Sequence, residues 1–379
     1  MNILVAPDSF KGSATAKEVG EAMKCGILKA CSTASVDVLP MADGGEGTMI
    51  NLVEAFNGSI VEVETKDPLG RPTLGQYGII ENNSLAIIEL SSVSGLNKIQ
   101  VNELNPYITS TFGTGQLIVD ALKKEIRQFI ICLGGSATND GGVGILKALG
   151  YRFLNKNREE IADGGLALNN LDIIDESCVL PAVHESTFHI ACDVQSPLTG
   201  IDGASFVFGP QKGASLEMSR ELDNALESFS NYIEIHKNKY IKGIPGSGAA
   251  GGAAGGLLAF LNAYLHPGIQ LVIDVVNFEE KIKNNTFDLL LTGEGKIDGQ
   301  TAFGKLISGV SEMANKFNLP TLAIAGTIEG NLKPLYQKGL TAAFSITDGP
   351  MSLEETMANT LRLIEKQTEQ IFRLYTIMK

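Results

Sequence analysis

The sequence predicts an α/β protein of two domains: a Rossmann/flavodoxin-like parallel-sheet domain built from both chain ends, with a second, mixed α/β domain inserted. Three observations carry this. The first residues run strand, helix, strand, helix, an order that favours a parallel sheet with helices on its faces. The C-terminal end repeats the pattern. The 379 residues also exceed what one hydrophobic core usually serves, about 250–300. The expected boundaries are 1–65 plus 280–379 for the discontinuous domain and 66–279 for the insert. The cleft between them is the default ligand site.

Asn2–Ala6 is a short apolar β run and Pro7–Ser13 a polar turn. A helix follows, capped by Ser13 or Thr15, with Val19, Met23 and Ile27 at helical spacing. Ser35–Leu39 reads as a second strand, then a loop over Met41–Thr48 and a helix through Phe56. From Gly58 to Leu90, short β runs are broken by Pro68-Leu69-Gly70-Arg71-Pro72 and Glu81-Asn82-Asn83-Ser84, which suggests antiparallel strands. Phe129–Cys132 is an apolar strand, followed after its loop by a helix-like run to Leu149. An apolar helix is expected near Leu257–Leu265. Phe287–Leu291 is continuously apolar, as in a strand buried on both faces. A polar loop, a helix over about Gly304–Phe317 and strands at Thr321–Ala325 and Ala342–Ile346 come next. One long helix closes the chain from about Ser352, with Glu354 and Glu355 in its first turn, where the helix dipole favours acid.

Composition narrows the function. A net charge of −13 argues against nucleic acid, because duplex binding needs a basic face to displace counterions. Cys25, Cys31, Cys132, Cys178 and Cys192 are scattered without C-x-x-C spacing, as free thiols of a reducing cytosol would be. His184, His189, His236 and His266 form no zinc-ligand pattern. The run Met1–Asp8 is too short, and lacks the basic start, to be a signal peptide. Between Gly243 and Ile273 only His266 could carry charge near neutrality, but clustered glycines and Asn262, Pro267 and Gln270 favour a buried loop and helix over a membrane span. The expectation is a cytoplasmic protein without nucleic-acid or membrane partners.

The 42 glycines gather in loops that follow predicted strands, where ligands of parallel sheets bind. Asp8-Ser9-Phe10-Lys11-Gly12-Ser13, Asp43-Gly44-Gly45-Glu46-Gly47-Thr48 and Thr292-Gly293-Glu294-Gly295 through Asp298 to Thr301 each end one such strand. Together they would bring Asp8, Asp43, Glu46, Glu294 and Asp298 to Lys11 and Lys305. Carboxylates with lysines suit Mg²⁺ and phosphate. Any one Asp-Gly pair is an ordinary turn former; three at strand ends are not. In the insert, Gly134, Gly135 and Ser136 open a loop whose amides can approach an anion. Asp193 ends a short strand, Lys212 lies in Gly209–Ala214, and Gly248, Gly251 and Gly252 precede the apolar helix.

Two motif matches are incomplete. Gly246-x-Gly248-x-x-Gly251 has the dinucleotide spacing, but Pro245 stands where a strand should end. Gly299-x-x-x-x-Gly304-Lys305 has P-loop spacing, yet Leu306 takes the place of the metal-binding Ser or Thr. There is no G-x-S-x-G elbow or recognisable triad.

Six pieces in order resemble the type-1 glycerate kinase family: Pro7–Gly12, Pro40–Thr48, Gly134–Gly142, Phe208–Ala214, Gly248–Gly252 and Thr292–Thr301. The resemblance runs from residue 2 to about 350, and departs only where Ala253-Ala254-Gly255-Gly256 prolongs the glycine run. It implies a kinase using ATP and Mg²⁺, D-glycerate as acceptor and 2-phosphoglycerate as product, with 3-phosphoglycerate the alternative. Among the roles it suggests, Asp193 or Asp43 takes the hydroxyl proton, and Glu294 and Asp298 hold the metal. Lys11, Lys305 and Lys212 contact substrate or phosphoryl oxygens, beside Asp8 and Ser9. The amides near Gly134–Ser136 and Gly248–Gly252 cradle phosphates. A homodimer is among the assemblies it allows. The competing readings are an NAD-dependent oxidoreductase through Gly246–Gly251 and a non-catalytic anion-binding protein.

Overall fold

The computed structural model describes residues 1–378 other than Glu46, 81–83, Gln300 and Phe303. Of the residues singled out above, Glu46, Glu81, Asn82, Asn83 and Gln300 therefore lie outside the described residues. The strands are β1 (Asn2–Pro7), β2 (Ser35–Val38), β3 (Ser59–Lys66), β4 (Pro72–Ile80), β5 (Leu85–Glu89), β6 (Gln128–Cys132), β7 (Arg152–Leu154), β8 (Ile173–Asp175), β9 (Thr187–Ala191), β10 (Ala263–His266), β11 (Leu289–Ile297), β12 (Thr321–Ile328) and β13 (Leu340–Ser345). The chain divides into two compact units, Met1–Asn57 with Pro267–Lys379, and Gly58–His266. These junctions differ from the expected 65/66 and 279/280. β3 pairs with β4 along its length, which ties residues 59–66 to the insert. The helix Gly268–Val275 packs on the helix Leu306–Lys316 of the first unit.

In the first unit five parallel strands run in the order β13-β12-β11-β1-β2. Side chains alternate faces along a strand, so Leu322 and Ile324 join one core while Ala323 and Ala325 join the other. Val19, Met23 and Ile27 fill the first core from the helix Ala16–Ala30, and Leu363, Ile364 and Phe372 fill it from the last helix. Thr15 caps the first helix in a reciprocal capping box with Glu18.

Three expected boundaries move, each for a local reason. β11 does not stop at Leu291 but continues through Glu294 to Ile297, because Lys296 and Ile297 pair with Thr327 and Ile328 of β12. The closing helix is two, Leu353–Ala358 and Thr360–Met378. At the break, Asn359 Nδ2 donates to the Glu355 carbonyl and Thr360 Oγ1 to those of Thr356 and Met357. Such side chains compete with the backbone for helix carbonyls. The apolar helix is Ala249–Phe260, and Ala263–His266 beyond it is strand. There Ala263 and Leu265 pack on the core while Tyr264 is exposed, a period of two.

The second unit holds a six-stranded sheet in the order β10-β9-β6-β5-β4-β3. Its first four strands are parallel, and β3, β4 and β5 meander antiparallel as the Pro/Gly breaks suggest. Asp67 Oδ1 shapes the turn between β3 and β4 by accepting the amides of Leu69 and Arg71. Among the described residues, no helix is long and apolar enough to cross a membrane.

Candidate active site

In a parallel sheet every carboxyl end lies on one edge, so the loops after β1 and β2 and the end of β11 converge. They line a cavity of about 260 Å³ in the first unit, which brings Asp8, Ser9, Lys11, Asp43, Glu294 and Lys305 together. Asp8 is buried just beyond β1. Its Oδ1 accepts the Ser9 amide at 2.6 Å, the Ser9 hydroxyl at 3.3 Å and Asn51 Nδ2 at 3.5 Å. Asn51, itself held by the Met41 carbonyl at 2.9 Å, carried no signal in the sequence. It sits on the helix Thr48–Ala55, and only the fold turns it toward Asp8.

Asp43 accepts the Gly45 amide at 2.9 Å and faces Lys11 Nζ at 3.9 Å. Glu294 projects from the strand β11 itself, and its Oε1 accepts the Thr301 hydroxyl at 2.7 Å. That hydroxyl also accepts the Asp298 amide at 3.1 Å, which fixes the following turn. Lys305 occupies the N-cap position of the helix Leu306–Lys316.

Burial and mutual repulsion dominate this site. Asp8 is pushed up to about 7, first by desolvation and then by the charge of Asp43, against the Ser9 amide and Lys11. Glu294 is likewise raised to about 7 by burial, against its Thr301 hydrogen bond and Lys305, with Asp43 and Asp298 adding to the rise. The crowding of acids that helps push Asp8 and Glu294 up also makes a site that favours cations. Among the described residues, no three His, Cys, Asp or Glu side chains stand close enough to chelate a metal by themselves.

The second unit places its expected residues on the carboxyl edge of its own sheet. Gly134 and Gly135 are exposed after β6, and Asp193 is exposed after β9. The loop after β6 is clamped throughout. Leu96 donates to the Gly135 carbonyl, Ala137 to Ser94, Thr109 to Ala137, and Gly141 to Gly251. Asp140 is fully buried and accepts Thr111 N, Thr111 Oγ1, Gly142 N and Gly144 N; burial raises its proton affinity and these donors oppose the rise.

Lys212 lies elsewhere than a ligand contact would. It is 1% exposed, and its ammonium donates to Ser136 Oγ at 2.9 Å and to the Thr138 carbonyl at 2.6 Å. Burial pulls it down to about 7, with Asp140 acting against the shift. The Gly248 and Gly252 amides are also engaged internally, by the Ser196 and Gly248 carbonyls. A Cβ on Gly248 would stand 2.2 Å from the Pro197 carbonyl, so packing accounts for this glycine. No strand leads into Gly246, so the dinucleotide fingerprint lacks its context.

Residues 3–376 match the model of the glycerate kinase family. The chain belongs to that family. It is an enzyme, a kinase. It is 43% identical to the glycerate kinase of Halalkalibacterium halodurans over 369 residues, 97% of each chain. It is 40% identical to the glycerate 2-kinase of Escherichia coli over 355 residues, 94% of this chain and 93% of that one. A crystal structure from Salmonella typhimurium LT2, assigned as glycerate kinase 2, superposes with a TM-score of 0.92 at 39% identity, covering 100% of this chain and 98% of the other. The family resemblance drawn from the six loops and the α/β fold class are both borne out.

Proposed function

We propose that this chain phosphorylates a hydroxyl of D-glycerate with ATP and Mg²⁺, giving 2-phosphoglycerate. The observation that carries the reading is the meeting of Asp8, Asp43 and Glu294 with Lys11 and Lys305 in one cavity of a glycerate kinase family member. In the transfer, the hydroxyl oxygen bonds to the γ-phosphorus, the bond to the ADP oxygen breaks, and the hydroxyl proton passes to a carboxylate. Such chemistry asks for positioning and charge neutralisation more than covalent catalysis.

The donor set fits Mg²⁺. Asp8 and Glu294 are desolvated carboxylates whose burial Lys11 and Lys305 offset only in part, and Mg²⁺ typically takes one or two carboxylates with water and phosphate oxygens. Glu294 and Asp298 are the residues that would hold it, with the Thr301 hydroxyl fixing both sides of the turn. When bound, the ion neutralises charge on the phosphate oxygens. Lys11, oriented by Asp43, and Lys305, at a helix start, supply the remaining positive charge toward the transferring group. Asp43 and Asp193 are the candidate proton acceptors named from the sequence, and Asp8 joins them from the structure. Among the described residues its three donors all fall on Oδ1, which leaves Oδ2 toward substrate. The exposed glycines at Gly134–Gly135 offer backbone amides to phosphate from a rigid loop.

The name of the Escherichia coli relative, glycerate 2-kinase, supports phosphorylation at O2. Five scattered cysteines support a cytoplasmic setting. A coupled assay tests the reading: ADP release must require both glycerate and Mg²⁺. Phosphorus NMR of the product then distinguishes 2- from 3-phosphoglycerate. NAD⁺ reduction by glycerate without ATP would select the oxidoreductase instead, and neither activity the binding protein.

A further inference from the structure

The cavity of the first unit is not uniform, and the strand order says how it varies. Its walls follow the carboxyl edge of the sheet β13-β12-β11-β1-β2. Ile346 follows β13, Thr327 lies on β12, Glu294 on β11, Asp8 after β1 and Asp43 after β2. Charge is therefore concentrated toward the β1–β2 side. Apolar lining comes from Ile346 after β13 and from Leu353 and Met357, with the hydroxyls of Thr356 and Thr360. The Met357 methyl reaches across to the loop after β1, 3.0 Å from where a Cβ on Gly12 would stand. From Ile346 to Asp8 is three interstrand steps of about 4.8 Å, roughly 14 Å. A three-carbon acid cannot use both sides of such a cavity; an extended nucleoside triphosphate can.

Two further features mark the apolar side as a binding surface. Leu353 is 72% exposed and Met357 36% exposed, so two large apolar side chains meet solvent at one cavity wall. The hydroxyls beside them already donate inward: Thr356 Oγ1 to the Ser352 carbonyl, and Thr360 Oγ1 to those of Thr356 and Met357. Their oxygens retain lone pairs that can only accept. An apolar slot edged by acceptors suits a flat heterocycle that carries an exocyclic amino donor.

We infer that the cavity wall formed by Ile346, Leu353, Thr356 and Met357 is the subsite for the purine base of the phosphoryl donor, its amino group facing the threonine oxygens. The inference rests on the kinase reading above and goes past it by placing the base on the C-terminal segment of the first unit. The break at Asn359 acquires a use here, because it turns the short helix Leu353–Ala358 toward the cavity beside Thr360, the first residue of the long helix that serves the core.

The chain contains no Trp, so Leu353→Trp provides a single fluorescent reporter at an exposed position. Its emission should change saturably with MgADP and stay flat with D-glycerate alone. Met357→Glu should raise KM for ATP at least fivefold while KM for glycerate stays within twofold. A tryptophan that ignores MgADP or answers glycerate alone overturns the subsite, as does a Met357→Glu enzyme whose glycerate KM is the one that rises. Wild-type protein that transfers no phosphoryl group from ATP to glycerate would instead sink the kinase reading, so the two failures are separable.

Discussion

Thr301 gives its hydroxyl proton to Glu294 Oε1 across 2.7 Å, tethering a buried carboxylate that feels Lys305 on one hand and Asp43 and Asp298 on the other. Partners of this kind orient a metal-holding carboxylate, and their loss typically costs about 10–100-fold in metal affinity. Thr301→Val should therefore raise the Mg²⁺ concentration for half-maximal activity at least about tenfold, with Thr301→Ser close to wild type. Equal Mg²⁺ titrations of the two variants would remove Glu294 from metal binding.

The buried carboxyls also set how stability responds to pH. Asp8 and Glu294, ordinarily at 3.8 and 4.5, are both raised to about 7 in the folded protein. The native state thus keeps protons that the unfolded chain releases. Stability should fall as pH rises from about 4 through about 7. Ligand-free protein should unfold at a higher temperature near pH 6 than near pH 8. Asp8→Asn, which keeps the shape without the charge, should flatten that dependence. A thermal melt series on both proteins checks it, and a wild type that gains stability toward pH 8 contradicts the cause.

Much of this site was legible because chemistry and turn formation coincide in the same residues. Asp8, Asp43 and Glu294 stand in glycine-rich sequence after apolar runs, and a parallel sheet sends all such strand ends to one edge. What stayed hidden depends on neighbours remote in sequence. Asn51 reads as a helix surface residue until the helix Thr48–Ala55 docks it on Asp8. Glu294 reads as loop because pairing of Lys296 with Thr327 is what extends β11. Lys212 reads as a phosphate contact because its burial under the loop after β6 comes from packing across segments more than 70 residues apart.

The two readings of Lys212 predict different variants. As an internal strut it satisfies Ser136 Oγ and the Thr138 carbonyl and balances Asp140. Lys212→Met leaves two buried acceptors without their donor, which costs about 1–3 kcal/mol for each. Urea denaturation should show that loss even without ligands. A ligand contact would leave stability intact and raise only KM for ATP.

The proton acceptor can be found by elimination among Asp8, Asp43 and Asp193. Each Asp→Asn exchange removes the basic oxygen and keeps the shape. The true acceptor should lose about 100-fold or more in kcat at little change in KM. Asp298→Asn should fall comparably through the metal, and extra Mg²⁺ should restore part of its activity. Near-normal turnover in any variant excludes that residue.

Gly251 tests whether the glycine run is a ligand cradle or a packing joint. Its φ is +66°, and a Cβ there would stand 2.1 Å from the Thr138 carbonyl, while its own carbonyl accepts the Gly141 amide at 3.0 Å. Gly251→Ala therefore combines left-handed strain with overpacking, about 1–2 and 1–3 kcal/mol respectively. Gly200 isolates the first contribution, since its φ is +97° and a Cβ would meet nothing within 4 Å. Gly200→Ala should cost about 1–2 kcal/mol and leave kcat unchanged. Gly251→Ala should cost clearly more and also impair turnover, because Thr138 belongs to the loop that Lys212 clamps. Equal stability losses in the two variants would mean that the segments carrying Gly251 and Thr138 part easily, and the rigid joint between them would have to be abandoned.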